Sequence, residues 1–207
     1  LIKKLESGLT RKMTLLSAPA GFGKTSILCA WIEQSSLPFG WLSLDRDDND
    51  PARFFIYLIK ALQSVDASLG EHLLPALSTP QPPAVDSLVT YLIDEIKNVG
   101  KIALVLDDYH LISNRVIHET VLRLIQYMPE NFHLVISSRT DPPFPLSRLR
   151  VLKAFVELRA ADLRFSINEA DVFLNQLMQL DLSKEDVEIL NRRTEGWVTG
   201  LQMALLS

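Results

Sequence analysis

Apolar runs and amphipathic stretches alternate along this chain, and their order predicts its architecture. Met13 to Ser17 (MTLLS) is a short apolar run halted by a Gly-rich segment, which predicts a buried strand. Thr25 to Gln34 has helical character, and Phe39 to Leu44 has strand character, ending in the acidic cluster Asp45-Arg46-Asp47-Asp48. Asp50 then supplies an N-cap and Pro51 a first-turn proline. Behind them Phe55, Leu58, Ile59 and Leu62 recur at i, i+3, i+4 and i+7, the stripe of an amphipathic helix. Ser78 to Pro83 (STPQPP) excludes regular structure and predicts a surface loop. Val85 to Val99 is helical again. Lys101 to Leu106 (KIALVL) is continuously apolar after its first residue, as in a strand covered on both faces. A helix over Ile117 to Tyr127, a strand over Phe132 to Ser137 and a fifth strand over Val151 to Leu158 complete the series.

Strands alternating with helices predict an α/β fold, a parallel sheet with helices on both faces. The texture changes after Arg159. Ser166 with Glu169 forms a capping box, Ser183 with Asp186 resembles another, and no further strand signal follows. The expected division is therefore residues 1–159 as the α/β domain and residues 160–207 as a small helical subdomain. Both ends look cut: the chain starts without Met and stops inside the apolar run Leu205-Leu206-Ser207, as expected for a piece of a longer protein.

Composition narrows the function classes. Apolar residues make up 47% and charged residues 22%, ordinary for a water-soluble domain, and the net charge of −4 argues against a nucleic-acid surface within these residues. No apolar run approaches the ~18 residues that span a bilayer, and the single cysteine, Cys29, excludes an internal disulfide. The expected location is the cytoplasm, away from membranes.

The chemistry gathers at three points. Ala18 to Thr25 (APAGFGKT) has the spacing of a phosphate loop, with Ala18 where the pattern begins with Gly. Triphosphate binding needs several backbone N–H groups aimed into one concavity, and Gly21 and Gly23 permit the tight path that makes one. The following helix turns its positive dipole end toward the phosphates. Pro19, Ala20, Gly21, Phe22, Gly23, Lys24, Thr25 and Ser26 are the expected nucleotide contacts. Lys24 reaches the β- and γ-phosphates of ATP, and the Thr25 hydroxyl ligates Mg²⁺. A plain Gly-rich turn is the competing reading; the strand before and the helix after favour the phosphate loop.

Ile102 to Asp108 (IALVLDD) is an apolar strand ending in two acids, the Walker B pattern. Asp107 is expected to hold Mg²⁺, through a water, and Asp108 to orient or deprotonate an attacking water. A strand with a polar turn is the alternative. Third, Arg139 follows Ser137-Ser138 at the end of the next strand, where a cation would sense the γ-phosphate; otherwise it pairs with Asp141 or the acidic loops. Lys24, Asp108 and Arg139 are thus the candidate catalytic residues. All three points fall at strand carboxyl ends, where ligands bind in open α/β sheets. Other residues read as structural: Cys29 as a small core side chain, His110 as a turn residue rather than a γ-phosphate sensor, Trp197 as a packing anchor rather than a ligand platform, and Asp45, Asp47, Asp48 and Asp50 as a solvated loop and helix cap rather than a second metal site.

Six blocks carry a family resemblance: APAGFGKT, Trp41 to Leu62, Leu104 to Ile112, Ser137 to Arg150, Glu157 to Ala170 and Arg193 to Leu206. In this order they resemble the ATPase module of the MalT-like signal-transduction regulators, the large ATP-binding members of the LuxR family. The resemblance implies a P-loop NTPase with sheet order 5-1-4-3-2 and a STAND-class switch related to NACHT and apoptotic ATPases. In that family an ADP-bound resting form exchanges for ATP when an inducer arrives and then self-associates. A winged helix, a helical-repeat sensor and a DNA-binding helix-turn-helix usually follow, so DNA contact is implied only through domains outside these residues. Two departures stand out. Gly200-Leu201-Gln202-Met203 lacks the proline that packs on adenine in apoptotic relatives, and most of the family's lead-in before the first strand is missing.

Slow hydrolysis that sets an assembly state is the favoured expectation. A motor or remodelling ATPase and a nucleotide-stabilised scaffold without turnover are the alternatives; both Walker B acids are intact, which weighs against the scaffold. No Asn-Lys-x-Asp guanine motif and no Leu-Ser-Gly-Gly-Gln signature occur, which disfavours GTP and a transporter role.

Overall fold

A computed structural model describes residues 1–77, 79, 83 and 85–204. A short helix α1 (Ile2–Gly8) precedes β1 (Met13–Ser17), which runs through the loop into α2 (Lys24–Gln34) and on to β2 (Phe39–Ser43). After a 3-10 turn over Arg46–Asn49 come α3 (Pro51–Gln63), α4 (Leu73–Leu77), α5 (Val85–Ile96) and β3 (Ile102–Asp107). A second 3-10 turn, Tyr109–Leu111, leads to α6 (Arg115–Tyr127), β4 (Phe132–Ser138), α7 (Leu146–Val151) and β5 (Phe155–Arg159). The rest is helical: α8 (Ala160–Leu163), α9 (Ile167–Asp171) with a π turn over Val172–Leu177, α10 (Lys184–Thr194) and α11 (Val198–Met203).

The five strands pair in parallel in the order β2-β3-β4-β1-β5. Read from the other edge this is the expected 5-1-4-3-2, the sheet of a P-loop NTPase. Strand parity sorts the core into two layers. Leu15, Leu104, Leu106, Leu134 and Ile136 face the larger one, built with α3, α5 and α6. Leu16, Val105, Val135 and Leu158 face the smaller, closed by Leu5 of α1 and by Leu28 and Trp31 of α2. Burying each such side chain is worth about 1.5–3 kcal/mol relative to exposure. The central strands therefore read as unbroken apolar runs because both their faces are covered. Ala170, Leu174, Val187 and Leu201 make a separate small cluster in the C-terminal helices.

Local chemistry sets the element ends. The Asp50 carboxylate accepts from the Arg53 N–H at 2.8 Å, capping α3, and Phe55, Leu58, Ile59 and Leu62 are all buried. The Ser166–Glu169 capping box forms as expected, and Ser183 accepts from the Asp186 N–H.

Two expectations need correction, and one helix goes beyond them. The fifth strand starts at Phe155 rather than Val151: Leu146 and Leu149 are buried one turn apart on α7, and Lys153 takes φ 49°, which no strand tolerates. Helix α1 carries no strong start or stop signal, and it forms because Leu5 is buried under β1 and β5. Cys29 is exposed, on the side of α2 away from Leu28 and Trp31. The loop expected over Ser78 to Pro83 lies outside the described residues apart from Thr79 and Pro83, as does Leu205-Leu206-Ser207.

Helix α3 lies so close on β2 that a Cβ built on Gly40 would meet the Ala61 carbonyl oxygen at 2.4 Å, whereas one on Gly100 meets nothing within 4 Å. Gly40→Ala is expected to destabilise the chain by about 1–3 kcal/mol, and Gly100→Ala to stay within about 0.5 kcal/mol of the parent. Urea denaturation midpoints of the two variants measure the contrast.

Candidate nucleotide-binding site

The loop between β1 and α2 owes its path to its glycines. Gly21 takes φ 76° and Gly23 φ 71°, the left-handed region that side chains disfavour. Gly23 is also the N-cap of α2, and no side chain caps that end. The first-turn N–H groups of a helix lack partners within it, so those of Lys24, Thr25 and Ser26 are presented as donors for an anion.

Lys24 is buried, and its ammonium donates to the carbonyls of Ala18 at 2.9 Å and Pro19 at 3.0 Å. An ammonium has three donors, so one remains for a ligand. Burial pushes its pKa below the usual lysine value, Asp108 and Asp107 counter that, and Arg139 adds to it.

β3 delivers the acids. Asp107 is buried at the strand's last residue, and its carboxylate accepts from the Thr25 hydroxyl at 2.9 Å and from the Asp108 N–H at 3.0 Å. Asp107 forms no ion pair among the described residues. A buried carboxylate held only by neutral donors favours a nearby cation. The donor set, one carboxylate and one hydroxyl, suits Mg²⁺, which takes oxygen ligands and keeps several waters or phosphate oxygens. No cluster of three or more His, Cys, Asp or Glu side chains among the described residues forms an all-protein cage for a metal. Asp108 sits at φ 55°, a left-handed conformation that Asp tolerates better than most residues, and stays partly exposed at the mouth of the cleft.

The parallel register aligns the ends of β1 and β4, Ser17 lying opposite Ser138, so Arg139 emerges beside the loop. The alternative partner for Arg139 is already taken: Asp141 is bound by Arg159 and by the Ser17 hydroxyl, and that pairing holds its carboxyl below the usual carboxylate range. Arg139 forms no salt bridge among the described residues. With Lys24, Asp108 and residues 20–26 it lines a cleft of about 650 Å³. Pro19 contributes its carbonyl to Lys24 rather than a wall of this cleft.

Three features go beyond the sequence reading. His110 belongs to the same charge cluster, its Nδ1 3.8 Å from an Asp108 oxygen, and burial with Arg139 holds its pKa below the ordinary histidine value. The far wall of the cleft is apolar and comes from the C-terminal segment: Leu163, Phe165, Phe173 and Val198. Trp197, expected to be a packing anchor, stacks on Phe22 with ring centroids 6.3 Å apart and also donates to the Ala20 carbonyl. Only the tertiary fold brings these segments to the loop. The acids Asp45, Asp47 and Asp48 are structural, but Asp48 is buried rather than solvated: Asp45 caps the 3-10 turn, and Asp48 is paired with Arg53 at 3.0 Å.

Known proteins resemble this chain in sequence and in fold. The HTH-type transcriptional regulator MalT of Yersinia pestis (strain Pestoides F) is 40% identical over 212 residues, which cover 100% of this chain and 23% of that protein. The chain is a MalT-like ATPase module. It thus spans about a quarter of the length of the curated relatives it matches. A STAND protein with a tetratricopeptide repeat sensor from Pyrococcus horikoshii superposes with a TM-score of 0.69 at 14% identity, covering 97% of this module and 28% of that chain. A Walker-type ATPase of Pyrococcus abyssi does so with a TM-score of 0.59 at 16% identity, covering 97% and 63%. At these identities the two structures speak for the fold. No family model matches the chain.

Lys24 is the only cation of the loop itself. Lys24→Ala is expected to weaken ATP binding at least tenfold, about 1.4 kcal/mol or more. Calorimetric titration measures it, and an unchanged affinity would show that the loop is not the site.

Proposed function

We propose that this module is an ATP/ADP-binding switch with slow hydrolysis, the nucleotide-binding part of a transcriptional regulator that acts in the cytoplasm. The observation that carries the reading is the hydrogen bond from Thr25 to Asp107, which joins the start of α2 to the end of β3 beside the loop and Lys24. Within this reading residues 1–159 are the P-loop domain and residues 160–207 a helical subdomain that closes the cleft. The loop N–H groups and Lys24 hold the β- and γ-phosphates. The apolar wall of Leu163, Phe165, Phe173 and Val198, with Gln202 beside it, takes the adenine in place of the absent proline. Thr25 and Asp107 hold Mg²⁺, which supplies charge neutralisation at the phosphates.

Asp108, at the cleft's mouth, orients the attacking water and accepts its proton. His110 stands against Asp108, and its lowered pKa keeps it neutral, so it adds no positive charge there at neutral pH. Arg139 provides charge-assisted hydrogen bonds to the γ-phosphate that ADP cannot accept, and such a difference is what lets bound nucleotide bias conformation. A few kcal/mol of bias suffices for a regulator. Self-association in the ATP-bound state, and DNA contact through other parts of the full protein, follow from the same reading. The MalT relatives support a switch over a motor.

Asp108→Asn is expected to leave Mg-ATP binding intact and to lower turnover by about tenfold or more, while Asp107→Asn also weakens Mg²⁺-dependent binding. Calorimetry and a phosphate-release assay separate the two, and parental hydrolysis in both variants would overturn the assignment. Arg139→Ala should reduce the preference for ATP over ADP with ADP affinity barely changed; an equal loss for both nucleotides would make Arg139 a structural residue.

A further inference from the structure

The C-terminal helices do more than wall the cleft, because they hold the phosphate loop by its backbone. Trp197 Nε1 donates to the Ala20 carbonyl at 3.2 Å. Thr199 donates to the Gly21 carbonyl through its hydroxyl at 2.9 Å, and its own N–H lies 3.4 Å from the same oxygen. The Trp197 ring lies against Phe22 with the planes 29° apart. Contact is close enough that a Cβ on Gly21 would meet Thr199 Oγ1 at 2.5 Å and Trp197 Nε1 at 2.9 Å. Gly21 is therefore required twice, once by its φ and once by the pressure of the C-terminal segment.

The segment that makes these contacts is itself tightly set. Glu195 and Gly196 both take left-handed conformations, φ 51° and 70°, which turn the chain sharply after α10. A Cβ on Gly196 would fall 2.5 Å from the Phe165 carbonyl oxygen, and the Phe165 N–H is bonded to the Gly196 carbonyl at 2.9 Å. The turn thus aims Trp197 and Thr199 at residues more than 170 positions earlier, with sequence separations of 177 and 178.

A trans peptide points its C=O and its N–H in opposite directions. Fixing the Ala20 and Gly21 carbonyls toward the C-terminal segment therefore fixes the N–H groups of Gly21 and Phe22 away from it. Those two N–H groups belong to the stretch that offers donors to phosphate. We propose that Trp197 and Thr199 are positioning residues of the phosphate loop, preorganising its amides and coupling nucleotide occupancy to docking of the C-terminal helices. The coupling is reciprocal by thermodynamic necessity: whatever docking contributes to phosphate affinity, bound phosphate contributes to docking. The inference rests on the nucleotide reading of the cleft and assigns Trp197 and Thr199 to the backbone of the loop.

Thr199→Val keeps the branched shape and removes the hydroxyl donor. Trp197→Phe keeps a ring against Phe22 and removes the N–H. Each variant should bind both ATP and ADP about three- to tenfold more weakly, the share of one hydrogen bond, with adenosine affinity unchanged. Thr199→Ser, which restores the donor, should bind as the parent does. In the parental chain ADP should slow amide exchange in residues 197–203 together with residues 20–26, a measurement independent of any variant's folding. Adenosine weakened as much as ATP, parental nucleotide affinity in both donor-deleted variants, or no slowing over 197–203 would each overturn the coupling. A parental chain that binds neither ATP nor ADP would instead overturn the nucleotide reading itself.

Discussion

The insertion of β4 between β1 and β3 is the constraint from which the site follows. Helical crossovers between the parallel strands cover both faces of the sheet and leave the strand carboxyl ends open as one ledge. Because β1, β4 and β3 are neighbours there, the loop after Ser17, the arginine after Ser138 and the acids ending β3 share that ledge although they are far apart in sequence. The register leaves little freedom: a slip of one residue would exchange the two core layers and drive Leu16, Val105 and Val135 into the wrong one.

On this ledge like and unlike charges are interleaved. Lys24 and Arg139 repel each other, and Asp107 and Asp108 offset that repulsion, which is the pattern of mutual effects on Lys24 and His110. A polyphosphate with its metal fits such an arrangement, because the anion answers the two cations while the metal answers the buried Asp107. Rigid backbone donors complement both, and they require no reorganisation when a ligand arrives.

The C-terminal helices change what kind of site this is. Without them the ledge would be shallow and open; with them it becomes a cleft with an apolar wall and a loop gripped from outside. The small cluster of Ala170, Leu174, Val187 and Leu201 is the body from which that grip is exerted. Its modest size suits a unit whose docking responds to what the cleft holds, since small cores contribute little stability of their own.

The amino-acid sequence by itself determined the parallel α/β class, the positions of β1 to β4, the capping of α3 and α9, and the phosphate-loop and two-acid motifs. Each of these is local: apolar runs, capping residues and glycines act within a few positions of themselves, so their signal is carried whole by the neighbouring residues. Tertiary structure alone decided the rest. Helix α1 exists because β1 and β5 cover Leu5, and Val151 falls in a helix because Leu146 and Leu149 are wanted in the core. Asp141 chose Arg159 over Arg139 because β5 lies beside β1, and Cys29 is exposed because α2 turns Leu28 and Trp31 inward instead. The grip of Trp197 and Thr199 on Ala20 and Gly21 was invisible for the same reason. A hydrogen bond between residues so distant depends on how two separately packed units meet, and no periodicity or spacing along one chain encodes that meeting.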